Sequence, residues 1–167
     1  MINYYTFFTH NQLGAEKQDV DSLYLNEYFH VNYNNWYNNL NWTQNLGNRW
    51  KIIWANSFSI NADDINSMVR NQHEVPVTFD GPVFWMNNKI FDYTNTTDNL
   101  QSRLVLEKKF NHLNAIRFGG EYDYDHTAIS YNQNPINYHD NYGALFAESD
   151  IYFTNDFMLK AGVRGER

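Results

Sequence analysis

The stretch WYNNLNWTQNLGNRWKIIWANSFSI, residues 36–60, contains two alternating runs joined by a tight turn. In the first run Trp36, Leu40, Trp42 and Leu46 share one parity, while Asn35, Tyr37, Asn39, Asn41, Thr43 and Asn45 share the other. Gly47-Asn48 then breaks the run with residues suited to a turn. In the second run Trp50, Ile52, Trp54, Phe58 and Ile60 oppose Lys51, Ala55, Ser57, Ser59 and Asn61. A period of two places successive side chains on opposite sides of a β-strand. One side here is apolar and aromatic, the other small and polar.

The same contrast recurs along the chain. Leu100, Leu104, Leu106 and Phe110 lie opposite Gln101, Arg103, Glu107 and Lys109. After a turn at Asn111-His112, Ile116, Phe118, Tyr122 and Tyr124 lie opposite Arg117, Glu121, Asp123 and Asp125. A last hairpin sets Leu145, Ala147, Ile151 and Phe153 against Glu148 and Asp150. Following Asn155-Asp156, it sets Phe157, Leu159, Ala161 and Val163 against Lys160, Arg164 and Glu166. Residues 1–10 supply one strand more. The expected fold is all-β, an antiparallel up-and-down meander of about seven strands, each near the length of about 9–11 residues that crosses a tilted bilayer. A one-residue slip would invert every face, so each hairpin has one register. Pairing 45 with 51 sets Trp42 beside Trp54. Pairing 107 with 117 sets Glu107 against Arg117 and Arg103 against Glu121, two opposite-charge pairs. Pairing 153 with 157 sets Asp150 beside Lys160.

Three features separate a membrane barrel from a soluble sheet. Connections near 47–48, 111–113 and 154–156 read as tight, those near 11–32, 63–97 and 131–141 as long, the asymmetry of outer-membrane barrels. Aromatics gather in two belts, Trp50, Phe110, Phe153 and Phe157 by the tight turns and Tyr122, Tyr124, Tyr131, Tyr138 and Tyr142 toward the long connections. Strand charges keep to the polar face, since a charge at mid-bilayer costs roughly 2–4 kcal/mol. Lys108 breaks this rule, but it lies near a turn, where it can snorkel to the headgroups. The expected lumen-facing charges are Arg103, Glu107, Arg117, Glu121, Asp123, Asp125, Glu148, Asp150, Lys160, Arg164 and Glu166. The expected lipid-facing and girdle residues are Trp42, Trp50, Trp54, Phe110, Phe118, Tyr122, Phe153 and Phe157.

Composition narrows the classes further. Aromatics make up 18% of the 167 residues, too many for a disordered chain, yet mean hydropathy is −0.68. No run approaches the roughly 20 apolar residues of a helical span. There is no cysteine, hence no disulfide or thiolate metal site. The net charge of −7 with scattered Lys and Arg excludes a nucleic-acid surface. No signal peptide opens the sequence, so a start inside a longer protein is expected.

Two stretches carry a family resemblance: FNHLNAIRFGGEY (110–122), and YGALFAESDIYFT (142–154) followed by LKAGVRGE (159–166). They resemble, in order, an "(L/I)RFG-E" strand, an "AAF-E-D" strand and an "L--G-R-E" strand of the mid-barrel region of TonB-dependent outer-membrane receptors. Residues 98–167 match well and 33–62 loosely. The resemblance implies an N-terminal plug domain, a TonB box and a barrel of about 22 strands. On that reading residues 1–167 are a single partial barrel domain, truncated at both ends, from the cell outer membrane of a Gram-negative bacterium. The parent would import a siderophore, cobalamin, glycan or peptide. Its partners would be outer-membrane lipid, the TonB complex acting through the missing plug, and a small-molecule or glycan ligand. No cofactor is expected.

Other readings weigh less. The row Glu121, Asp123, Asp125 and the pair Glu148, Asp150 have same-face spacings of about 6.5–7 Å, within glycosidase range. Arg103 and Arg117 favour a salt-bridged channel wall instead. His126 and Ser130 share a face but stand about 13 Å apart, too far for a nucleophile and its base, so an enzyme is not expected. A soluble β-sandwich carbohydrate-binding module remains the alternative, and it would bury the Trp42/Trp54 face beneath a second layer. The 63–97 connection carries Phe84-Trp85, an aromatic pair suited either to touching ligand or to packing over the barrel mouth.

Overall fold

In the computed structural model residues 1–110, 114–154 and 156–167 are described. They form one seven-stranded sheet: β1 (Ile2–Gln18), β2 (Leu25–Gly47), β3 (Trp50–Asn71), β4 (Phe91–Lys109), β5 (Ala115–Tyr131), β6 (Asn134–Tyr152) and β7 (Met158–Glu166). Each strand pairs antiparallel with its sequence neighbour, giving the order β1-β2-β3-β4-β5-β6-β7. A 3-10 helix, Gly81–Lys89, interrupts the β3–β4 connection.

The hairpin registers are those the two faces require. Trp42 pairs with Trp54 and Asn45 with Lys51. Glu107 pairs with Arg117 and Arg103 with Glu121. Asp150 pairs with Lys160. In consequence rows of like character cross the sheet. One runs Ile2, Trp42, Trp54, Leu104, Gly120, Leu145, and another on the same face joins Gln44, Ile52, Leu106, Phe118, Ala147 and Val163. The reverse face carries Asn3, Asn41, Ala55, Arg103, Glu121, Ala144 and Glu166 in one row.

Nothing among the described residues packs on the apolar face: Leu104 stays 47% exposed, Phe118 44% and Leu145 74%. The polar face is the crowded one, with Val105, Glu107, Ala115, Thr127, Ala144 and Phe146 buried. Such asymmetry belongs to a sheet curled toward its polar side. The second layer required by a β-sandwich is missing from the described residues. Some polar atoms on the apolar face find local partners: Trp54 Nε1 donates to Ser102 Oγ (3.2 Å), Trp36 Nε1 to Thr6 Oγ1 (3.2 Å) and Tyr4 Oη to Asn38 Oδ1 (2.6 Å), whereas Nδ2 of Asn38 and of Asn56, on the same face, has no partner among the described residues.

The strands are longer than the alternation indicates. β2 has 23 residues, about 75 Å of extended chain at roughly 3.3 Å each. The connection expected over 11–32 shrinks to residues 19–24, and that over 63–97 to residues 72–90. The one expected over 131–141 is only Asn132-Gln133, both left-handed (φ 47° and 65°), as a two-residue type I′ hairpin turn demands. The rule of short turns at one end and long loops at the other therefore fails for β5–β6. The cause is chemical. Residues such as Asn32, Tyr33, Asn34 on β2 and Asn137, Tyr138, His139 on β6 are polar or amphipathic on both faces, so pairing continues where alternation has ceased.

At the opposite end the β2–β3 turn is Asn48-Arg49, also left-handed (φ 49° and 63°), with Gly47 pairing Trp50. The turns read at Asn111-His112 and Asn155-Asp156 include Asn111, His112 and Asn155, which lie outside the described residues. Lys108 sits on the apolar face beside the turn. It donates to the Asn48 carbonyl and lies 4.9 Å from the Trp50 ring centroid.

Candidate functional site

Strand parity and register put Arg103, Glu107, Arg117, Glu121, Asp123, Asp125, Glu148, Asp150, Lys160, Arg164 and Glu166 on one face. Most are tied together there. The Arg117 guanidinium bridges Glu107 Oε2 (2.9 Å) and Asp150 Oδ2 (2.7 Å), and Lys160 approaches Asp150 at 3.9 Å. Thus Arg117, not Lys160, is the closer partner of Asp150. A second cluster joins Arg103 to Glu121 (3.2 Å), Glu121 to Arg164 (2.6 Å) and Arg164 to Glu166 (3.2 Å). Tyr142 Oη donates to Glu166 Oε2 (2.5 Å) and accepts from Arg164 (2.8 Å). Asp125 accepts from the Asn99 amide. Asp123 has neither hydrogen bond nor ion pair among the described residues. The set comprises four cations and seven carboxylates, and Asp123, Asp125 and Glu148 have no cation partner among the described residues; no cluster of His, Asp and Glu among the described residues could hold a metal ion.

The aromatic residues divide. Trp42, Trp50, Trp54, Phe118 and Tyr122 occupy the apolar face, and Phe110, Phe153 and Phe157 continue its parity at the strand ends, Phe153 and Phe157 with ring centroids 5.6 Å apart. Three of the tyrosines expected in the second belt are placed otherwise. Tyr131, Tyr138 and Tyr142 have the parity of the polar face, because alternation counts from the pairs Tyr131–Asn134 and Thr127–Tyr138. Tyr122 and Tyr124 remain on the apolar side.

Two features of the polar face are invisible to charge patterning. The first is Phe146, a buried ring among the charges, with Arg103 stacked 5.0 Å above its centroid. Gly119 makes room for it. A Cβ there would run into Phe146 Cζ and come within 2.6 Å of Cε1 and 2.8 Å of the Leu104 carbonyl oxygen. The second is a cavity of about 370 Å³ bordered by Tyr37, Ser57, Gln101, Arg103, Glu121 and Asp123.

Above this face the 72–90 connection folds back over the strand tips. Phe79 and Met86 pack on Val69 with Leu25, Val77 and Ile90 around them. The Asn87 side chain holds Phe79 from both sides, accepting from its N–H (2.9 Å) and donating to its carbonyl (2.5 Å). Lys89 fastens the end of the loop: its ammonium lies 2.5 Å from Asp19 Oδ2, 2.6 Å from Asp21 Oδ2 and 3.4 Å from Glu27 Oε1. Burial pushes the Lys89 amine down, but the hydrogen bonds and charges of Asp19 and Asp21 outweigh it and hold the group above its ordinary value of 10.5. Phe84 and Trp85 sit on the 3-10 helix, 67% and 46% exposed. The loop therefore has a fixed base and an aromatic tip open to solvent. Sequence reading singled out the tip but not the clasp, whose members are 70 residues apart.

A single-layered meander, apolar on one side and ion-paired on the other, defines a class: a wall of barrel type. Among solved structures the chain is similar to the ferric yersiniabactin uptake receptor FyuA from Yersinia pestis, with a TM-score of 0.56 at 12% identity. The likeness covers 96% of this chain and 24% of the receptor, so the chain spans about a quarter of that protein's length. At that identity the likeness concerns the fold alone. No protein-family model matches the sequence, and no curated protein matches it.

Proposed function

We propose that this chain is a stretch of wall from a transmembrane β-barrel in the outer membrane of a Gram-negative bacterium. The parent is a TonB-dependent receptor that imports a scarce nutrient, with siderophore, cobalamin, glycan and peptide all within the class. The observation that carries the reading is the height of the apolar band. On β3 it runs from Trp50 to Ile60 and gives way to Ala62, Asp64 and Asn66. Ten steps of about 3.3 Å, tilted by about 45°, rise roughly 23 Å, close to the apolar band of about 25 Å on outer-membrane barrels. The same band ends at Phe8 and Trp36, which share a row with Ile60, and below Asp98 and His126 in that row.

In this reading Trp42, Trp54 and Phe118 face lipid, while Arg103, Arg117 and Glu121 face the lumen. Phe84 and Trp85 stand outside the cell. The open edges of β1 and β7 pair with further strands, since lipid does not tolerate unpaired backbone. Energy for import comes from the TonB complex through a plug domain. The likeness to an uptake receptor supports the fold half of this reading. The single-layered sheet speaks against a soluble sandwich, which would need a partner for the Trp42/Trp54 face.

This stretch contributes no cysteine, so in a parent receptor with any other cysteines replaced by serine, single substitutions make clean labels. In intact cells, Phe84→Cys should react with a membrane-impermeant maleimide. In purified outer membranes, Arg103→Cys should react with it and Trp54→Cys should not. Reaction at Trp54→Cys as fast as at Arg103→Cys would remove the bilayer from the account.

A further inference from the structure

The outward face is not apolar throughout. Among the described residues five buried side-chain atoms lack a hydrogen-bond partner, and three of them, Asn32 Oδ1, Asn38 Nδ2 and Asn56 Nδ2, belong to the outward face of β2 and β3. The other two, Asn95 Oδ1 and Asp150 Oδ1, are on the polar face among other hydrogen-bonding groups. Asn38 and Asn56 stand inside the apolar band. Asn38 pairs with Phe58, and Asn56 pairs with Leu40 on one side and Ser102 on the other. We infer that the outward face of β2, β3 and β4 is the contact between two copies of the receptor in the membrane, with Asn56 at the two-fold axis, an assignment that rests on the receptor reading above.

Hydrocarbon supplies no hydrogen bond, so a polar group that looks into it needs a partner from protein. Trp36, Trp54 and Tyr4 find theirs within the sheet, at Thr6, Ser102 and Asn38. Asn38 is thereby half satisfied, its Oδ1 accepting from Tyr4 while its Nδ2 is unmet. The Asn56 amide makes no hydrogen bond among the described residues. Its same-face neighbours along β3 are Trp54 and Phe58, and Leu40 faces it across the ladder. A primary amide carries a donor and an acceptor side by side, so it is its own complement. Barrels of one kind lie in the membrane in one orientation, and a second copy therefore carries Asn56 at the same depth. A two-fold axis along the membrane normal sets the two amides face to face, each donating to the other. A different membrane protein would have to bring an unpaired amide to that depth independently. The apolar side chains around Asn56 keep competing hydrogen-bond partners away from the pair, much as a lone buried Asn fixes the register of paired helices.

Nothing in the band repels a like surface. The outward positions are uncharged from Trp36 to Leu46 on β2, from Trp50 to Ile60 on β3 and from Leu100 to Leu106 on β4, with Asp98 and Lys108 beyond them. The area is sufficient as well. β3 has 22 residues. A strip three strands wide, about 14 Å, and as tall as β3 rises at a tilt of about 45°, about 49 Å, covers roughly 700 Å² on each copy. About 1,400 Å² in all lies within the range of stable interfaces, which begins near 1,200 Å². Asn32, farther up β2, carries the strip beyond the band.

The test is oxidative cross-linking in purified outer membranes, in the complete receptor with any other cysteines replaced by serine. Asn56→Cys should give a disulfide-linked dimer with copper phenanthroline, because residues at a two-fold axis bring their Cα atoms within the roughly 7 Å that a disulfide spans. Leu145→Cys, on the same face but on β6, should not. Sedimentation in mild detergent should show a dimer, and Asn56→Leu should raise its dissociation constant by roughly tenfold or more. Compact migration in unboiled gels shows that the variant has folded. Cross-linking of Asn56→Cys no better than that of Leu145→Cys, or cross-linking only to a different protein, overturns the contact. So does equal dissociation of wild type and Asn56→Leu. Leu145→Cys also keeps the two ideas apart, since it lies outside the strip and its protection from the impermeant maleimide reports on the bilayer alone. If it stays protected while Asn56→Cys yields no dimer, only the contact between copies falls; if it reacts, the receptor reading falls with it.

Discussion

Replacing Lys89 by methionine should free the 72–90 loop while leaving the sheet intact. Methionine keeps most of the aliphatic stem and removes the ammonium that three carboxylates share. Asp19, 2% exposed, would then lose its cation and face Asp21 and Glu27 as like charges. Taking one partner from a buried ion pair costs about 3–5 kcal/mol. Two circumstances reduce this. The Asp21 side chain is 42% exposed, and the amides of Asp21 (2.7 Å) and Ser22 (3.0 Å) still donate to Asp19. A net loss of about 2–3 kcal/mol remains, which raises the open fraction of the loop roughly 30- to 150-fold.

The loss is local, because strand pairing does not depend on the clasp. Amide hydrogen exchange reads it directly. The N–H groups of Asp19, Val77, Phe79 and Ile90 are bonded within this region, to Leu25 O, Val69 O, Asn87 Oδ1 and Asn87 O. Their protection should drop by that factor, with β4 and β5 amides unchanged. Protection within twofold of wild type would refute the clasp.

Protection of the loop should also depend on pH. Burial pushes the Asp19 carboxyl up, but the Lys89 hydrogen bond, the Asp21 and Ser22 amides and the Lys89 charge together hold it below its ordinary 3.8. A lowered acid contributes stability above its unfolded value and loses it as pH falls through its folded one. The raised Lys89 contributes below 10.5 and loses its contribution as pH climbs through its folded value. Wild-type protection, corrected for intrinsic exchange, should thus stay flat from about pH 5 to about pH 10 and fall only beyond those ends.

Two further substitutions probe the faces. Leu104→Arg puts a charge in the middle of the apolar band and should cost roughly 2–4 kcal/mol of unfolding free energy in lipid vesicles. Gln101→Arg on the reverse face should cost under about 0.5 kcal/mol, and equal costs would contradict the assignment of faces. Gly119→Ala should destabilise by about 1–3 kcal/mol through overpacking against Phe146 and the Leu104 carbonyl. Phe146→Ala should then cost less in the Gly119→Ala background than in wild type, and additive losses in denaturant titration would show that ring and glycine do not meet.

How far the sequence could be read depended on whether water and apolar surroundings demanded different things of neighbouring residues. Between Trp36 and Ile60 they do, so strands and register followed from parity, while the turn read at Gly47-Asn48 falls one residue later, at Asn48-Arg49. The Arg103–Glu121 and Glu107–Arg117 pairs followed for the same reason. Past Ile60 both faces of β3 carry Asn, Asp and Ser, and parity holds no information, although backbone pairing continues to Asn71. The top of β5–β6 was hidden doubly. Its turn, Asn132-Gln133, lacks the Asn-Gly signature, and Tyr131, Tyr138 and Tyr142 looked like a belt although they point to the polar side. The clasp left no local trace, because closing Asp19 on Lys89 depends on two connections folding onto one strand tip. Phe146 was overlooked because a ring on a polar face contradicts the pattern; the adjacent Gly119 was the one available hint.

The polar average of the chain follows from the same geometry. Of the 22 residues of β3, those that are apolar, on the outward face and within the band are Trp50, Ile52, Trp54, Phe58 and Ile60. The other parity of the band carries Lys51, Ile53, Ala55, Ser57 and Ser59, and everything beyond Ile60 stands clear of the band. A wall strand thus needs only about a quarter of its residues to be apolar, and a window average cannot find them. What identifies such a strand is the position of those few residues: same parity, consecutive rows, and a common stopping height shared by Trp36, Ile60 and Phe8 on three neighbouring strands. A sheet whose apolar rows stopped at different heights could have the same composition and the same hairpins without fitting a bilayer.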